Sequence, residues 1–307
     1  MRWKNYYSRT STAEQFSFNM QSLKEAILAA KENKVAIGHF NISEFAALRA
    51  IVSASKKLGV PAYIGTSSGE AGFIGMKQAV ALIRSIREET GHRIYLNADH
   101  MRDLAKVEEA AKAGYDSIIF DGAQFPFEEN IKKTKEAVEV AKSINPDVLV
   151  EGEVGYIGVS SKLLDELPKG VAIREEDMTS PEEAKQFVEE TGVDLLAPAV
   201  GEIHGMMKSA KNPNLNIERI LSIKNAVSVP LVLHGGSGVS DEDFKASIRA
   251  GISAVHINTE IRIAWRKGLE MALASDKDMI APYKLLSSSE KEVYKIVLKR
   301  LELFNLL

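Results

Sequence analysis

The feature that most constrains this chain is an eightfold alternation of short apolar runs with longer amphipathic stretches. Each run is too short for a helix, rich in Val, Ile or Leu, and apolar on both faces, which is typical of strands covered on both sides in a parallel sheet. The runs span residues 35–40, 62–65, 94–98, 117–120, 148–150, 194–197, 230–233 and 253–257. Helical patterns such as residues 104–113 and 181–190 lie between them, and Ser180-Pro181 before the second is a start signal.

Eight strand–helix units over about 270 residues predict an α/β fold, a single (β/α)₈ TIM barrel. The alternative is an open doubly wound sheet, but no Gly-x-Gly-x-x-Gly follows the first strand to support it. No linker rich in Pro, Gly or Ser divides the chain. We therefore expect a short N-terminal extension over residues 1–19 and a barrel with C-terminal helices over residues 20–307.

Composition excludes several classes of chemistry and of partner. The 307 residues include no Cys, which excludes disulfides, thiolate nucleophiles and Cys-ligated metals and makes a reducing cytoplasm the expected location. The 39 basic and 42 acidic residues give a net charge of −3, which argues against a nucleic-acid partner. No apolar run approaches the ~20 residues of a membrane helix, and the first residues lack the apolar core of a secretory signal.

Five of the six histidines fall at the ends of predicted strands or in the loops after them, where the catalytic residues of a barrel lie. The five are His39, His100, His204, His234 and His256, whereas His92 precedes its strand. A single histidine there is usually a packing or capping residue, but five on one rim indicate a site. Three neutral imidazoles with an open fourth position describe a catalytic zinc site.

Carboxylates are predicted on the same rim, at Asp99, Asp121, Glu151 and Glu153. Asp99 and His100 are adjacent, so in a regular strand their side chains diverge. One of them can then ligate a metal while the other acts on substrate. For each acid taken alone, a salt bridge or a supporting contact to a ligand is an equally good interpretation.

A glycine-rich loop after the seventh strand, His234-Gly235-Gly236-Ser237-Gly238, predicts a phosphate site. Glycines let backbone N–H groups approach an anion closely, and Ser237 adds a hydroxyl group. Barrels commonly bind phosphate at the loops after strands seven and eight, and Asn258-Thr259 follow the eighth strand. An ordinary glycine-containing turn is the alternative.

Lysine-based carbonyl chemistry is disfavoured because none of the eight runs carries Lys in its interior or at its C-terminal end. A metal acting as Lewis acid is the other way to stabilise an enolate. Metal, carboxylates and phosphate loop together predict carbon–carbon or proton chemistry on a phosphorylated carbonyl compound. Metal-dependent hydrolysis stays open on these features alone.

With these motifs in place, the sequence from about Met20 to Leu303 resembles the class II, metal-dependent ketose-bisphosphate aldolases. This family includes the fructose- and tagatose-bisphosphate aldolases, and its motifs occur here in the family's order. They are Gly38-His39-Phe40-Asn41, Thr66-Ser67, Ala98-Asp99-His100, Phe120-Asp121-Gly122, residues 126–131, residues 150–155, residues 191–194, Ile203-His204-Gly205 and residues 230–238.

The resemblance implies zinc, or another divalent metal, on His100, His204 and His234, with Glu153 at a second or alternative metal position. It implies that Asp99 is the acid/base for the aldehyde-derived oxygen. The expected substrate contacts are Asn41, Ser67, Gly205, Gly235, Ser237, His256, Asn258 and Thr259. Fructose 1,6-bisphosphate is the first expected substrate and tagatose 1,6-bisphosphate the alternative. The alternative from another class is a barrel that binds a phosphorylated sugar without catalysis. A homo-oligomer is also expected.

Four segments depart from the family pattern. Glu202 stands where a small polar residue usually precedes the third ligand, and the Asp-Pro-Arg stretch near the end appears only as Asp276-Lys277-Asp278. The other two departures bear on the substrate and on proton transfer. In the eighth strand, Ala254, His256 and Asn258 replace Lys, Asn and Asp. The loop over residues 158–165 lacks the acidic run that abstracts the C1 proton, and the candidates to replace it are Asp165, Glu166, Glu175 and Glu176. Barrel closure makes strands one and eight neighbours, so we also predict that His39 and His256 lie side by side.

Overall fold

A computed structural model describes residues 21–159 and 161–307, so the predicted extension over residues 1–19 lies outside the described residues. Eight parallel strands form one closed barrel, which confirms the predicted (β/α)₈ fold. In chain order they are β1 Ile37–Asn41, β2 Ala62–Ser67, β3 Ile94–Met101, β4 Ser117–Phe120, β5 Leu149–Val154, β6 Leu195–Pro198, β7 Leu231–Leu233 and β8 Ile252–Ile257. Closure pairs β1 with β8, and His39 is directly opposite His256 in that register.

Helices surround the barrel, and the last of them packs against its neighbours α2 and α10. They are α1 Leu23–Asn33, α2 Phe45–Leu58, α3 Ser68–Ile74, α4 Met76–Thr90, α5 Leu104–Ala113, α6 Phe127–Ile144, α7 Pro181–Thr191, α8 Ile217–Ala226, α9 Asp241–Ala250, α10 Thr259–Ser275 and α11 Pro282–Phe304. A short ladder outside the barrel pairs Leu163–Leu164 with Met206–Met207. None of the helices in the described ranges combines the length and the apolar character that crossing a lipid bilayer requires.

Local sequence signals account for several helix ends. Three helices begin with a capping box, in which a Ser side chain accepts from the N3 backbone and the N3 Glu side chain accepts from the Ser backbone. The pairs are Ser22 with Glu25, Ser67 with Glu70, and Ser180 with Glu183. The predicted start at Ser180-Pro181 is therefore confirmed, with Pro181 in the first turn.

The interior of the barrel changes from apolar to polar along its axis. At the N-terminal end of the strands, α1 covers an apolar layer that includes Tyr95 and Leu195. Towards the opposite end the fully buried side chains are polar, and they bond to one another. His39 Nε2 lies 3.1 Å from Asn97 Oδ1, and Asn97 Nδ2 donates to Ser117 Oγ at 2.9 Å. Buried polar groups are costly unless they are paired, so this layer supports a site rather than a core.

Arg300 on α11 ties the C-terminal helix to the loop after β7. Its guanidinium donates to both Glu260 carboxylate oxygens, at 2.7 and 2.8 Å, and to Asp241 Oδ1 at 2.8 Å. Glu260 also accepts from the N–H of Gly238 at 3.0 Å. Arg300 and Glu260 are both buried, so the ion pair holds the predicted phosphate loop against the helical layer.

We expect Arg300→Met to lower the free energy of unfolding by about 3 kcal/mol, because it leaves the buried Glu260 carboxylate without its partner. Urea denaturation measures the loss. The control is Arg266→Met, which removes an exposed ion pair to Glu270 and is expected to cost no more than about 0.5 kcal/mol. Equal losses in the two variants would contradict a structural role for the buried pair.

Candidate active site

Most of the predicted site residues converge around one small cavity of about 20 Å³ at the C-terminal end of the barrel. Its lining consists of Asn41, Asp99, His100, Ser161, His204, Gly205, Gly235, Ser237, His256, Asn258 and Thr259. A larger outer cavity of about 260 Å³ shares Asp99, His100 and Asn258 with it and is also lined by Ser67. His234 and Glu153 complete the cluster from the buried side.

Three imidazoles form the centre of the site. The ring centroid of His100 lies 4.8 Å from that of His204 and 4.9 Å from that of His234, and the centroids of His204 and His234 are 6.0 Å apart. One ring nitrogen of each lies within 4.8 Å of the others. Glu153 Oε1 approaches the same point, 2.8 Å from His100 Nδ1 and 3.4 Å from His234 Nδ1.

Hydrogen bonds on the outer side of two rings determine which nitrogen faces the cluster. His234 Nε2 lies 2.6 Å from Glu151 Oε1, and His204 Nδ1 lies 2.7 Å from the carbonyl oxygen of Gly158. When those nitrogens donate to these oxygens, His234 Nδ1 and His204 Nε2 keep their lone pairs. Burial lowers the pKa of His234 and lowers that of His204 to about 3, so both rings are neutral. Neutral imidazole is the form that ligates a metal.

The cluster leaves a set of buried polar atoms without a partner among the described residues: His100 Nδ1, His234 Nδ1 and Glu153 Oε1. The first and the third are only 2.8 Å apart, yet they are not in hydrogen-bonding geometry. An unsatisfied buried polar group costs about 1–3 kcal/mol. Imidazole nitrogens and a carboxylate oxygen that face one point are the donors that a divalent metal satisfies, so the residues present fit a metal ion.

The end of β3 corrects the expectation that Asp99 and His100 diverge. The pairing register with β4 shifts between Ala98 and Met101, and His100 has φ 55°, in the left-handed region. This irregularity brings both side chains to the same site, with Asp99 Oδ1 3.6 Å from His100 Nε2. A non-glycine residue held in this region costs about 1–3 kcal/mol, and such strain and bulges concentrate at functional sites.

Asp99 is buried and held from two sides. Asn41 Nδ2 donates to Asp99 Oδ2 at 2.8 Å, while Asp99 Oδ1 lies 3.7 Å from His256 Nδ1. Burial acts to raise the pKa of Asp99, but attraction to the protonated form of the adjacent His100 is the largest of the opposing effects, and together they hold this pKa well below its usual range. A metal ion on His100 would displace that proton, because a metal ligand must be deprotonated. Asp99 is therefore a carboxylate that can accept a proton.

The predicted proximity of His39 and His256 is confirmed, because their rings stack with centroids 3.6 Å apart and planes 8° apart. His256 also stacks on His234 at 4.3 Å, so the three rings form a column. His256 lines the small cavity, whereas His39 is fully buried. Nitrogen lone pairs lie in the ring planes, and no point lies in both of two stacked planes, so His39 and His256 are unsuited to share one metal ion although Asp99 lies beside both.

The glycine-rich loop after β7 packs tightly against its neighbours. Gly235 has φ 56°, and a Cβ there would lie 2.4 Å from the carbonyl oxygen of Ile203. Ser237 Oγ accepts from the N–H groups of Asn258 at 3.3 Å and Glu260 at 3.2 Å, which leaves its hydrogen free to donate. The loop thus lies at the start of α10, and the positive end of a helix dipole favours an anion.

Glu202, a departure from the family pattern, is buried, and burial raises the pKa of its carboxyl group to about 8. Sequence reasoning missed two residues that hold the site together. Asn212 is buried and donates to the carbonyl oxygens of Gly205 at 3.1 Å and Ser237 at 3.0 Å, which joins the loops after β6 and β7. Glu70 accepts from Asn41 Nδ2 at 2.9 Å. Only Glu70 had a readable signal, the capping-box spacing from Ser67.

The acids proposed to replace the missing loop acid lie elsewhere. Within residues 21–159 and 161–307, Asp165, Glu166, Glu175 and Glu176 line neither the small nor the outer cavity. Asp165 pairs with Lys208 at 2.8 Å, and Glu175 lies 3.7 Å from Arg219. His256, by contrast, is a titratable side chain that departs from the family pattern and does line the small cavity, with its Nδ1 3.7 Å from Asp99 Oδ1.

A sequence model of the class II fructose-bisphosphate aldolases matches residues 21–306. The chain belongs to this family. It is 32% identical over 287 residues to the fructose-bisphosphate aldolase of Staphylococcus aureus strain Mu50, covering 92% of this chain and 96% of the relative. The Geobacillus stearothermophilus fructose-bisphosphate aldolase is 31% identical over 290 residues, covering 94% and 97%.

Solved structures of aldolases share the fold. The YdjI aldolase from Escherichia coli K12 superposes with a TM-score of 0.76 at 29% identity, covering 93% of this chain and 97% of that one. A putative fructose-1,6-bisphosphate aldolase from Coccidioides immitis gives 0.77 at 25% identity, covering 93% and 96%. The chain is therefore an aldolase, a carbon–carbon lyase of the metal-dependent class II, with a phosphorylated sugar as substrate.

Proposed function

We propose that this aldolase is zinc-dependent and cleaves fructose 1,6-bisphosphate reversibly to dihydroxyacetone phosphate and glyceraldehyde 3-phosphate. The observation that carries the proposal is the arrangement around the small cavity. Ring nitrogens of three histidines lie within 4.8 Å of one another, the Asp99 carboxylate lies beside His100, and Gly235 and Ser237 of the glycine-rich loop line the same cavity. The relatives named fructose-bisphosphate aldolase support this choice of substrate.

In this proposal zinc is held by His100 Nδ1, His204 Nε2 and His234 Nδ1, with Glu153 Oε1 at an alternative position. A set of imidazole nitrogens suits zinc better than magnesium, which prefers oxygen ligands. When bound, the metal supplies Lewis-acid polarisation of the substrate ketone.

Groups of the protein itself transfer the hydroxyl proton and bind the substrate phosphate. In cleavage, Asp99 accepts the proton of the hydroxyl group that becomes the aldehyde oxygen while the carbon–carbon bond breaks. The bonding electron pair remains on the ketone half, which then takes up a proton, and condensation is the reverse. The phosphate of the ketone half lies on Gly205, Gly235, Ser237 and Thr259, at the start of α10.

The two halves of the substrate are assigned to the two cavities. Asn41 and Asn258 line the small cavity and contact the ketone half in this proposal. Ser67 lines only the outer cavity, so it contacts the aldehyde half. The outer cavity also has Arg102 and Arg262 on its wall, which suits an anionic substrate.

A cleavage assay coupled to reduction of the released triose phosphate tests the function, with and without a chelator. We expect cleavage of fructose 1,6-bisphosphate that is lost with the chelator and restored by zinc. Faster cleavage of tagatose 1,6-bisphosphate would reassign the substrate. Activity that survives complete metal removal, or that borohydride traps, would reject the metal mechanism. Binding of metal and ketose phosphate without turnover would instead support the non-catalytic barrel.

We also propose that His256 transfers the proton at C1 of dihydroxyacetone phosphate, since the loop acids lie outside the cavities. Replacing His256 with Asn is expected to slow solvent exchange of this proton by a factor on the order of 10² or more, as for loss of a general acid/base. Exchange is measured by NMR in deuterated water. His39→Asn, which disturbs the same stack from below the cavity, is the control. An unchanged exchange rate in His256→Asn would show that His256 only packs.

The oligomeric state and the location of the chain stay proposals. We propose a homo-oligomer in the cytoplasm, without a nucleic-acid or membrane partner. Light scattering after size-exclusion chromatography tests the oligomer, and a monomeric mass would contradict it.

A further inference from the structure

Glu70 does more than cap a helix. It is the N3 residue of the capping box that begins α3, and its carboxylate accepts from the N–H of Ser67 at 2.9 Å. Glu25 and Glu183 play the same capping part in α1 and α7. Glu70 is only 8% exposed, however, and residues far away in the chain donate to its carboxylate.

These additional donors lie on two elements of the active site. Asn41 at the end of β1 donates through Nδ2 to Glu70 Oε2 at 2.9 Å. Arg262 on α10 donates through Nη2 to Glu70 Oε1 at 2.7 Å. Arg262 Nη1 also donates to the carbonyl oxygen of Ser161, in the loop after β5, at 3.4 Å. Glu70 therefore joins β1, α3 and α10 at the wall of the outer cavity.

The contact to Asn41 reaches the reacting group. Asn41 Nδ2 donates to Asp99 Oδ2 at 2.8 Å as well as to Glu70, so one amide nitrogen lies between two carboxylates. Carboxylates accept hydrogen bonds, so the amide must present its nitrogen to both of them. This determines the orientation of the Asn41 amide and leaves its Oδ1 available to accept from a substrate hydroxyl. Arg262 offsets the repulsion between the two carboxylates.

We propose that Glu70, with Arg262 as its counter-ion, is a positioning residue that fixes the Asn41 amide and through it the Asp99 carboxylate. The inference rests on the proposed role of Asp99. A precisely held proton acceptor matters in the transition state more than in the bound substrate, so Glu70, which lines neither cavity, acts on kcat more than on KM.

Glu70→Gln tests the proposal against Glu183→Gln, which makes the same change in a capping box without site contacts. If the amide oxygen of the introduced Gln keeps the hydrogen bond from Asn41, its amide nitrogen faces the Arg262 guanidinium. Both of those groups are donors, so the bond to Arg262 is lost. We expect kcat to fall on the order of tenfold with KM changed less than about twofold. Glu183→Gln is expected to keep kcat and to lose similar stability. Equal kcat values in the two variants would overturn the proposal.

Two further measurements separate failure of this inference from failure of the proposed function. If Glu70 and Arg262 act as a unit, the kcat of the double variant Glu70→Gln/Arg262→Gln is no lower than that of the slower single variant. Additive losses in kcat would contradict the pairing. The side-chain amide signal of Asn41, assigned by its loss in Asn41→Asp, needs no turnover. We expect Glu70→Gln to shift this signal and to speed its solvent exchange, whereas Glu183→Gln leaves it unchanged. An unshifted signal would overturn the inference even in an active enzyme, and a shifted signal in an inactive chain would reject only the proposed function.

Discussion

Asp99→Asn is expected to lower the rate of cleavage by a factor on the order of 10² or more while the metal stays bound. The substitution keeps the size of the side chain and removes its capacity to accept the hydroxyl proton. Asp99 is suited to this task because it is ionised and buried and lies beside His100. It is not one of the metal ligands proposed above, so its loss leaves the three histidines in place. Steady-state rates and metal content by atomic emission are measured on the same preparations.

The alternative explanation is that Asp99 only orients His100, in which case metal content falls in step with activity. Asp103→Asn is the matched control, since Asp103 caps α5 four residues further along and is exposed. We expect the control to keep both rate and metal. An Asp99→Asn enzyme with full metal and a nearly unchanged rate would reject the acid/base role.

The barrel could be predicted because strand and helix periods alternate eight times, but the polar ends of the strands could not. The apolar run over residues 94–98 suggested an end at Ala98, whereas β3 continues to Met101. The run over residues 148–150 likewise continues to Val154 and includes both buried glutamates. Apolar patterning finds a strand only where it faces a hydrophobic layer, and these ends face the active site.

Within the site, residue types at strand ends predicted which side chains converge, and geometry decided how. The bulge at Asp99-His100 turns both side chains to one site, although strand alternation predicts opposite directions. The contact of Glu70 with Arg262 joins residues 192 positions apart, and neither neighbouring sequence contains that information. Asn212 is similar, because a loop amide acquires its role only when two other loops are folded around it.

His234→Ala is expected to have the largest effect at the site, with loss of stoichiometric metal and a fall in cleavage on the order of 10³ or more. Lewis-acid stabilisation is worth several kcal/mol, and about 1.4 kcal/mol corresponds to each tenfold in rate. His234 contributes one of the three imidazole nitrogens that lie within 4.8 Å of one another, and its other nitrogen lies at hydrogen-bonding distance from Glu151. His92→Ala is the control, because His92 precedes β3 and bonds to Ser55, away from both cavities.

Glu151→Gln tests the residue that supports the proposed metal ligand His234. Gln keeps an oxygen that can accept from His234 Nε2 but lacks the charge, so we expect metal affinity to fall about 10–100-fold while the metal-saturated rate stays near that of the unaltered enzyme. Competition with a chromogenic chelator measures the affinity. Burial raises the pKa of Glu151 to about 7, so the unaltered side chain is itself only partly ionised near neutral pH. The loss of metal affinity at neutral pH is therefore expected nearer the lower end of that range.

If His234→Ala retained one metal per chain at the affinity of the unaltered enzyme, the three-histidine site would be wrong, and a metal centred on His100, Asp121 and Glu153 would take its place.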